Sequence, residues 1–371
     1  ADGLFFIENR GVEAFQALGV PAWITGITWR GIYKGTAWVV AVMLPPMAIF
    51  FPLFTFLEDL GYLPRAAFNL DWLFKKAGAH GKQALTMCMG FGCNAAGVIS
   101  CRIIDSPRER LIAILTNAFV PCNGRFPTLI MLASIFVGSA VAKDYASLAA
   151  TAAVVLTVVL GILMTLLVSS LLSKTVLRGE ASAFTLELPP YRRPNIAQIL
   201  YTSLIDRTIF VLWRAIIVAA PAGAVIWILG NVHLGPESLA SHFAAFLDPL
   251  GRAIALDGAI LLAYIIAIPA NEIVVPTLLM IYLDQGVMSN VESFEQIRVI
   301  LVEDKGWTLL TAISLMAFCL VHNPCATTIY TMWKETKSIR WTLLGALLPL
   351  TLGFAICFLI ARGSSLIAPL F

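Results

Sequence analysis

Five stretches of this chain, residues 35–57, 84–101, 145–173, 306–333 and 341–361, contain no Asp, Glu, Lys or Arg. A hydrocarbon core of about 30 Å takes roughly 20 apolar residues of helix to cross, and most of these stretches are that long. Three more carry one isolated charge each: residues 112–142 with Arg125, 209–232 with Arg214 and 258–283 with Glu272. Lipid offers no partner to a bare peptide group, so such segments fold as helices, and irregular backbone survives only where protein or a cavity surrounds it. The pattern predicts an all-α polytopic membrane protein with about eight transmembrane segments. Composition agrees, with 59% hydrophobic and 13% charged residues against roughly 25% charged in soluble domains.

Several function classes fall away. Net charge is +3, and no Lys/Arg cluster alternates with aromatics, which argues against nucleic acid as a partner. The opening ADGLFFIENRG has no basic region followed by an apolar core, so it is not a signal peptide, and its lack of Met reads as a cut from a longer chain. The seven Cys are odd in number and lie inside apolar runs, unlike a disulfide framework. No HExxH occurs and the His are scattered, which disfavours an intramembrane metalloenzyme. Gly78-Ala79-His80-Gly81-Lys82 is followed by Gln83, without the hydroxyl or the earlier glycine of a phosphate loop. The chain is expected neither to bind nor to hydrolyse GTP.

Residues 1–34 read as an amphipathic approach segment, 35–173 as a first membrane half, 174–207 as a polar linker and 208–371 as a second half. The linker is basic, which suggests the cytoplasm, and residues 57–78 mix charges with aromatics like an interfacial helix. The halves share an order of features. Trp38 precedes Pro46 by eight residues, as Trp213 precedes Pro221. An amphipathic segment and two interrupted spans follow in each. Eight full crossings would place both ends on one side and residues 334–340 (KETKSIR) outside, against the positive-inside trend. Re-entrant hairpins are the other way to thread the chain, and the pattern leaves open an inverted or a parallel repeat.

Four interruptions carry the chemistry: Gly90-Phe91-Gly92-Cys93-Asn94, Pro121-Cys122-Asn123-Gly124-Arg125, Pro269-Ala270-Asn271-Glu272 and His322-Asn323-Pro324-Cys325. Transporters use such breaks to turn half-helix ends and freed carbonyls toward an ion near the midplane. Thiolate selects soft or borderline metals, whereas Mg and Ca prefer oxygen. Cys93, Cys122, Cys325, Glu272, Asn94, Asn271 and Asn323 are therefore the candidate metal-path residues. Cys88, Cys101, Cys319 and Cys357 read as packing residues. Arg125 reads as a partner of Glu272 or as a helix-end side chain reaching for the interface, and His322 as a hydrogen-bonded interior residue.

These motifs, with LEDLGYLPRAAF (residues 57–68), SPRERLIAILTNAFVPCNGRFP (106–127), PANEIVVP (269–276) and HNPCATT (322–328), resemble the ferrous iron transport protein B (FeoB) family over nearly the whole chain. Many of its members have GFGCNVPA where this chain reads GFGCNAAGV. The resemblance implies two Gate-type halves and import of Fe(II), as transported substrate with no permanently bound cofactor, across the bacterial cytoplasmic membrane. It marks Cys93, Cys122, Cys325 and Glu272 as path residues. It also implies as partners the lipid bilayer, a covalently linked GTP-binding domain in the full-length protein, small cytoplasmic accessory proteins and further copies of the chain. A Gate-fold carrier of a nucleoside or other organic solute is the alternative.

Overall fold

The computed structural model describes residues 2–179, 194–288 and 293–367. Helix α1 (Asp2–Ala17) lies on the first span, with Phe5 against Trp38 and Phe15 edge-on to Trp29. Helix α2 (Ala22–Thr25) runs through a π-helical stretch, Gly26–Tyr33, straight into α3 (Lys34–Asp59). The first span is therefore Ala22–Asp59 and passes through residue 34 without a break. The interfacial helix is α4 (Tyr62–Lys76). Leu63, Ala67 and Phe74 are buried, Tyr62, Phe68 and Trp72 face outward, and Lys76 sits over the Trp72 ring.

Helices α5 (Gln83–Gly92) and α6 (Asn94–Ser100) meet at Cys93. Lys82 before α5 bonds Asp105 beyond α6 at 2.6 Å, so the pair enters and leaves by one face. Helices α7 (Pro107–Thr116) and α8 (Phe126–Leu132) belong to one interrupted span, Pro107–Val137, and α9 (Ala146–Lys174) returns. The second half repeats the order. Helix α10 (Ile196–Tyr201) leads into α11 (Phe210–Asn231), and a two-residue hairpin, β1 (His233–Leu234) with β2 (Glu237–Ser238), precedes the amphipathic α12 (Leu239–Ala253). Helices α13 (Gly258–Ile266) and α14 (Val274–Tyr282) form a second re-entrant pair. Its ends also meet, because Tyr282 donates its hydroxyl to Asp257, the N-cap of α13. Helix α15 (Phe294–Arg298) precedes α16 (Leu309–Val321) and α17 (Ala326–Thr336), which share the span Leu309–Thr336, and α18 (Ile339–Ile367) closes the described chain.

Six helices among the described residues are long and apolar enough to cross a membrane. With the two re-entrant pairs they make eight membrane-embedded segments, of which the blocks at 84–101 and 258–283 do not cross. Burial separates the roles. Residues 258–264 of α13 are all buried, as in a helix enclosed by protein. Leu156 and Leu163 of α9 and Leu343 and Leu359 of α18 face outward, the side of a lipid-facing span.

The halves are inverted. Gly26 packs on Trp227, Gly31 on Gly223 and Gly35 on Gly223 and Ala219, so position rises along the first span, Ala22–Asp59, as it falls along α11. Corresponding helices are thus antiparallel. A Cβ on Gly31 would lie 2.9 Å from the Gly223 carbonyl oxygen, and the Gly31/Gly35 spacing lets the two backbones approach. A second contact agrees. Arg102, just before the span Pro107–Val137, makes a bidentate pair with Glu335, at the end of Leu309–Thr336 (2.8 and 2.6 Å). The start of one interrupted span therefore meets the end of its counterpart.

The same pair places residues 334–340 on the face of the loop at 101–110. Arg108 donates to the Leu177 carbonyl, which brings the start of the linker to that face too. Of the two threadings left open, the one with re-entrant hairpins is the one found: segment 258–283 turns back, which removes one crossing between that loop and residues 334–340 and puts both on one side. Arg102, Arg108, Arg110, Lys174, Lys334 and Arg340 gather on this side, the cytoplasmic one by the positive-inside rule. Pro189, Pro190, Arg192 and Arg193 of the linker lie outside the described residues.

Candidate ion path at four helix breaks

Each break ends one helix and starts another, and the backbone geometry recurs in pairs. Cys93 (φ −153°, ψ 123°) and Ala270 (φ −153°, ψ 118°) are extended residues before a new helical turn. Cys122 (φ −82°, ψ 169°) and Cys325 (φ −62°, ψ 158°) form the second pair. This register aligns Asn94 with Asn271, Ala95 with Glu272 and Arg125 with Thr328. The charges at the breaks are thus absent from the corresponding positions of the other half.

Side-chain amides knot the first-half breaks together. Asn117 donates to the Asn94 carbonyl at 2.9 Å. With its nitrogen turned inward, the Asn94 amide donates to the carbonyls of Gly90 (3.1 Å) and Val120 (3.2 Å). In the second half the Ala326 N–H donates to the Ile268 carbonyl at 2.7 Å. The halves then meet crosswise. Helix α6 packs on α17, and the short 3-10 turn Asn123–Arg125 packs on the turn Asn271–Ile273.

This crossing brings candidate residues from different breaks together. Cys93 lies within electrostatic reach of Cys325 and Cys122, and both Cys122 and Cys325 lie within reach of Glu272. Cys93, Cys122, Asn94, Asn271 and Glu272 are buried, while Cys325 and Asn323 are half-buried. The Cys325 sulfur is 3.2 Å from the Thr328 hydroxyl. The Glu272 carboxylate packs on Gly124, where a Cβ would fall 2.6 Å from its Cδ. No ion pair to it is present among the described residues. No three His, Cys, Asp or Glu side chains among the described residues are gathered closely enough to form a closed metal cage.

Arg125 does not pair with Glu272. Its side chain is 0% exposed, and it donates to the carbonyls of Ala118 (2.9 Å), Leu320 (2.7 Å) and His322 (3.1 Å). Nor does it reach an interface, since these carbonyls lie deep at the breaks and give the guanidinium nearer partners than headgroups would. His322 is the expected interior residue, with Nδ1 against the Cys319 carbonyl (2.9 Å) and Nε2 facing the Asn271 side chain (3.3 Å). Cys101, Cys319 and Cys357 point at backbone carbonyls, and Cys88 is exposed, away from the junction. Asn117 escaped the sequence reading. Its signal was an amide inside the apolar run ILTNAFV, five residues before Cys122.

Comparison with known proteins fits this geometry. The Gate family profile, described as nucleoside recognition, matches residues 40–136 and 212–339, and that of the ferrous iron transport protein B C terminus matches residues 154–206. An Fe(2+) transporter FeoB from Staphylococcus aureus is 31% identical over 354 residues, covering 92% of this chain and 49% of the relative. One from Synechocystis is 27% identical over 350 residues, covering 93% and 54%. An Fe(2+) transport protein A/Fe(2+) transporter FeoB fusion protein from Porphyromonas gingivalis is 27% identical over 378 residues, covering 90% and 43%. The chain spans about half the length of these curated relatives. No solved structure matches it. The two Gate matches cover more than half of the chain and fall on its two inverted halves. With the segment between them matching the ferrous iron transport protein B C terminus, they show that this multi-pass protein of the bacterial inner membrane belongs to the Gate family.

Proposed function

We propose that the chain forms the path by which ferrous iron crosses the membrane into the cytoplasm. Glu272 carries the proposal. It is a buried carboxylate at the crossing of the halves, without a cationic partner among the described residues and within reach of two thiols. An ionised residue at that depth is costly, and such groups mark ion paths. Cys93, Cys122 and Cys325 would supply thiolate, and Asn94, Asn271 and Asn323 amide oxygens, to a borderline cation. Spread over four breaks, these groups suit a series of weak sites, which an ion can leave as well as enter. On this reading residues 35–173 and 208–371 are the Gate halves, residues 174–207 join them, and residues 1–34 lead in.

The nucleoside reading has less support. The relatives above are named as Fe(2+) transporters. The cavity of about 410 Å³ beside the first two breaks is lined by Pro46, Phe50, Phe91 and other apolar residues, with Asn123 its one polar side chain. A nucleoside needs several convergent polar groups. The Porphyromonas relative is named as a fusion with Fe(2+) transport protein A, which supports a small accessory partner on the cytoplasmic face. A linked GTP-binding domain and self-association complete the proposal. Proteoliposomes offered Fe(II), Zn(II), Mn(II) and Mg(II) test it. Saturable Fe(II) uptake that leaves Mg(II) outside is expected, and nucleoside uptake without metal uptake would overturn it.

A further inference from the structure

We infer that Arg125 is an internal stand-in for a cation, a positioning residue that fills a cage of backbone carbonyls where the halves meet and so keeps oxygen-seeking ions out of the path. The inference deepens the metal-path reading and rests on it.

The cage is built from helix ends. Ala118 lies in the 3-10 turn that follows α7, and Leu320 and His322 lie at the end of α16. Carbonyls at a helix C-terminus lack intrahelical partners and carry the negative end of the helix dipole. Here two C-termini, one from each half, turn their carbonyls toward a single point. Such a cluster of oxygens is what Ca²⁺ and Mg²⁺ prefer. The Arg125 guanidinium occupies the point instead. One nitrogen, Nη1, reaches the first half at Ala118 and the second at Leu320, while Nη2 takes the His322 carbonyl. The cage carbonyls are its hydrogen-bond acceptors, and its Nε has no partner among the described residues.

The placement separates two ligand sets. Arg125 lies within electrostatic reach of Cys122 and Cys325, so the caged oxygens sit beside the thiols of the path. A guanidinium stays charged. While it holds the carbonyls, a passing ion meets thiolate, amide and the Glu272 carboxylate. Without it, the same ion would meet an oxygen cage facing the path. The repeat does not require this cation, since Thr328 occupies the corresponding position in the second half.

Arg125→Met removes the charge and keeps much of the bulk, whereas Arg125→Lys keeps a charge that can still reach carbonyls. Thermal unfolding of the purified chain and both variants, with Ca²⁺ titrated alone, is the first measurement. The Met variant should gain stability saturably with Ca²⁺, while the parent and the Lys variant stay indifferent. The second is uptake into proteoliposomes, in which the Ca(II) to Fe(II) ratio should rise by about tenfold or more in the Met variant. A structural cap alone would depress all uptake at an unchanged ratio and confer no response to Ca²⁺; that result overturns the inference. If the Met variant cannot be recovered without metal, extraction in Ca²⁺ decides, since recovery supports the cage and continued loss refutes it. Should the parent carry no Fe(II), the transport reading fails, while the Ca²⁺-dependent unfolding still judges Arg125.

Discussion

Gly124→Ala is the sharpest probe of the junction, because its sign depends on one side chain. The added methyl would sit 2.6 Å from Glu272 Cδ and 3.1 Å from Oε2. Non-bonded carbons rest about 3.5–4.0 Å apart, so the carboxylate must retreat by about 1 Å. Overpacking of this kind costs about 1–3 kcal/mol, and moving Glu272 off its rotamer accounts for about 0.5–1.5 kcal/mol. An opposing term exists. Gly124 is not among the glycines with positive φ, so alanine fits the backbone and should stabilise by about 0.4–1 kcal/mol through the unfolded chain. In the parent the clash wins, for a net loss on the order of 1–2 kcal/mol. In a Glu272→Ala background the clash is gone, and Gly124→Ala should be neutral or stabilising. Thermal or chemical unfolding in detergent of the four proteins measures the coupling, expected at about 1–3 kcal/mol. Equal costs in both backgrounds would show that the carboxylate does not rest on Gly124. Fe(II) uptake by Gly124→Ala should also fall, because the ligand has moved.

Glu272→Gln keeps the shape and removes the charge, so it should abolish Fe(II) uptake while the protein inserts and purifies normally; parental uptake would remove Glu272 from the path. Replacing Cys93, Cys122 and Cys325 together with Ser should lower Fe(II) uptake or shift preference toward harder cations, whereas Ser or Ala at Cys88, Cys101, Cys319 and Cys357 should leave most of it. A folded triple variant with parental Fe(II) rates would make the three thiols packing residues. Outside the spans, burial holds the His80 imidazole below its ordinary pKa, and its Nδ1 accepts the Lys82 N–H at 3.0 Å. The unfolded chain takes up that proton near pH 6.5 and the folded chain only at lower pH, so stability present above about pH 6.5 is lost on acidification. His80→Gln should flatten the unfolding profile below that pH, and an unchanged profile would assign the acid sensitivity elsewhere.

Much of this architecture was legible from local pattern. Apolar runs without charge can only be membrane helices, and Gly, Pro and Asn inside them must break the backbone, so the four breaks and the two halves could be placed from residue order alone. Cys93, Cys122, Cys325 and Glu272 stood out because a carboxylate is costly at membrane depth and a thiol beside a helix break is placed to meet an ion. What residue order could not settle is which segments cross and which turn back. A re-entrant pair and a full span have the same hydropathy, and the difference lies in end contacts such as Lys82 with Asp105 and Tyr282 with Asp257. Repeat orientation was equally hidden. It rests on which residues of the first span and α11 meet at Gly26, Gly31 and Gly35 and on Arg102 finding Glu335, 233 residues away. Arg125 shows the limit most plainly. The sequence by itself determined that a buried charge had to be satisfied near a break. Only the tertiary structure decided that its partners are carbonyls up to 197 residues distant and not Glu272, because a backbone carbonyl looks alike at every position until folding exposes a helix end.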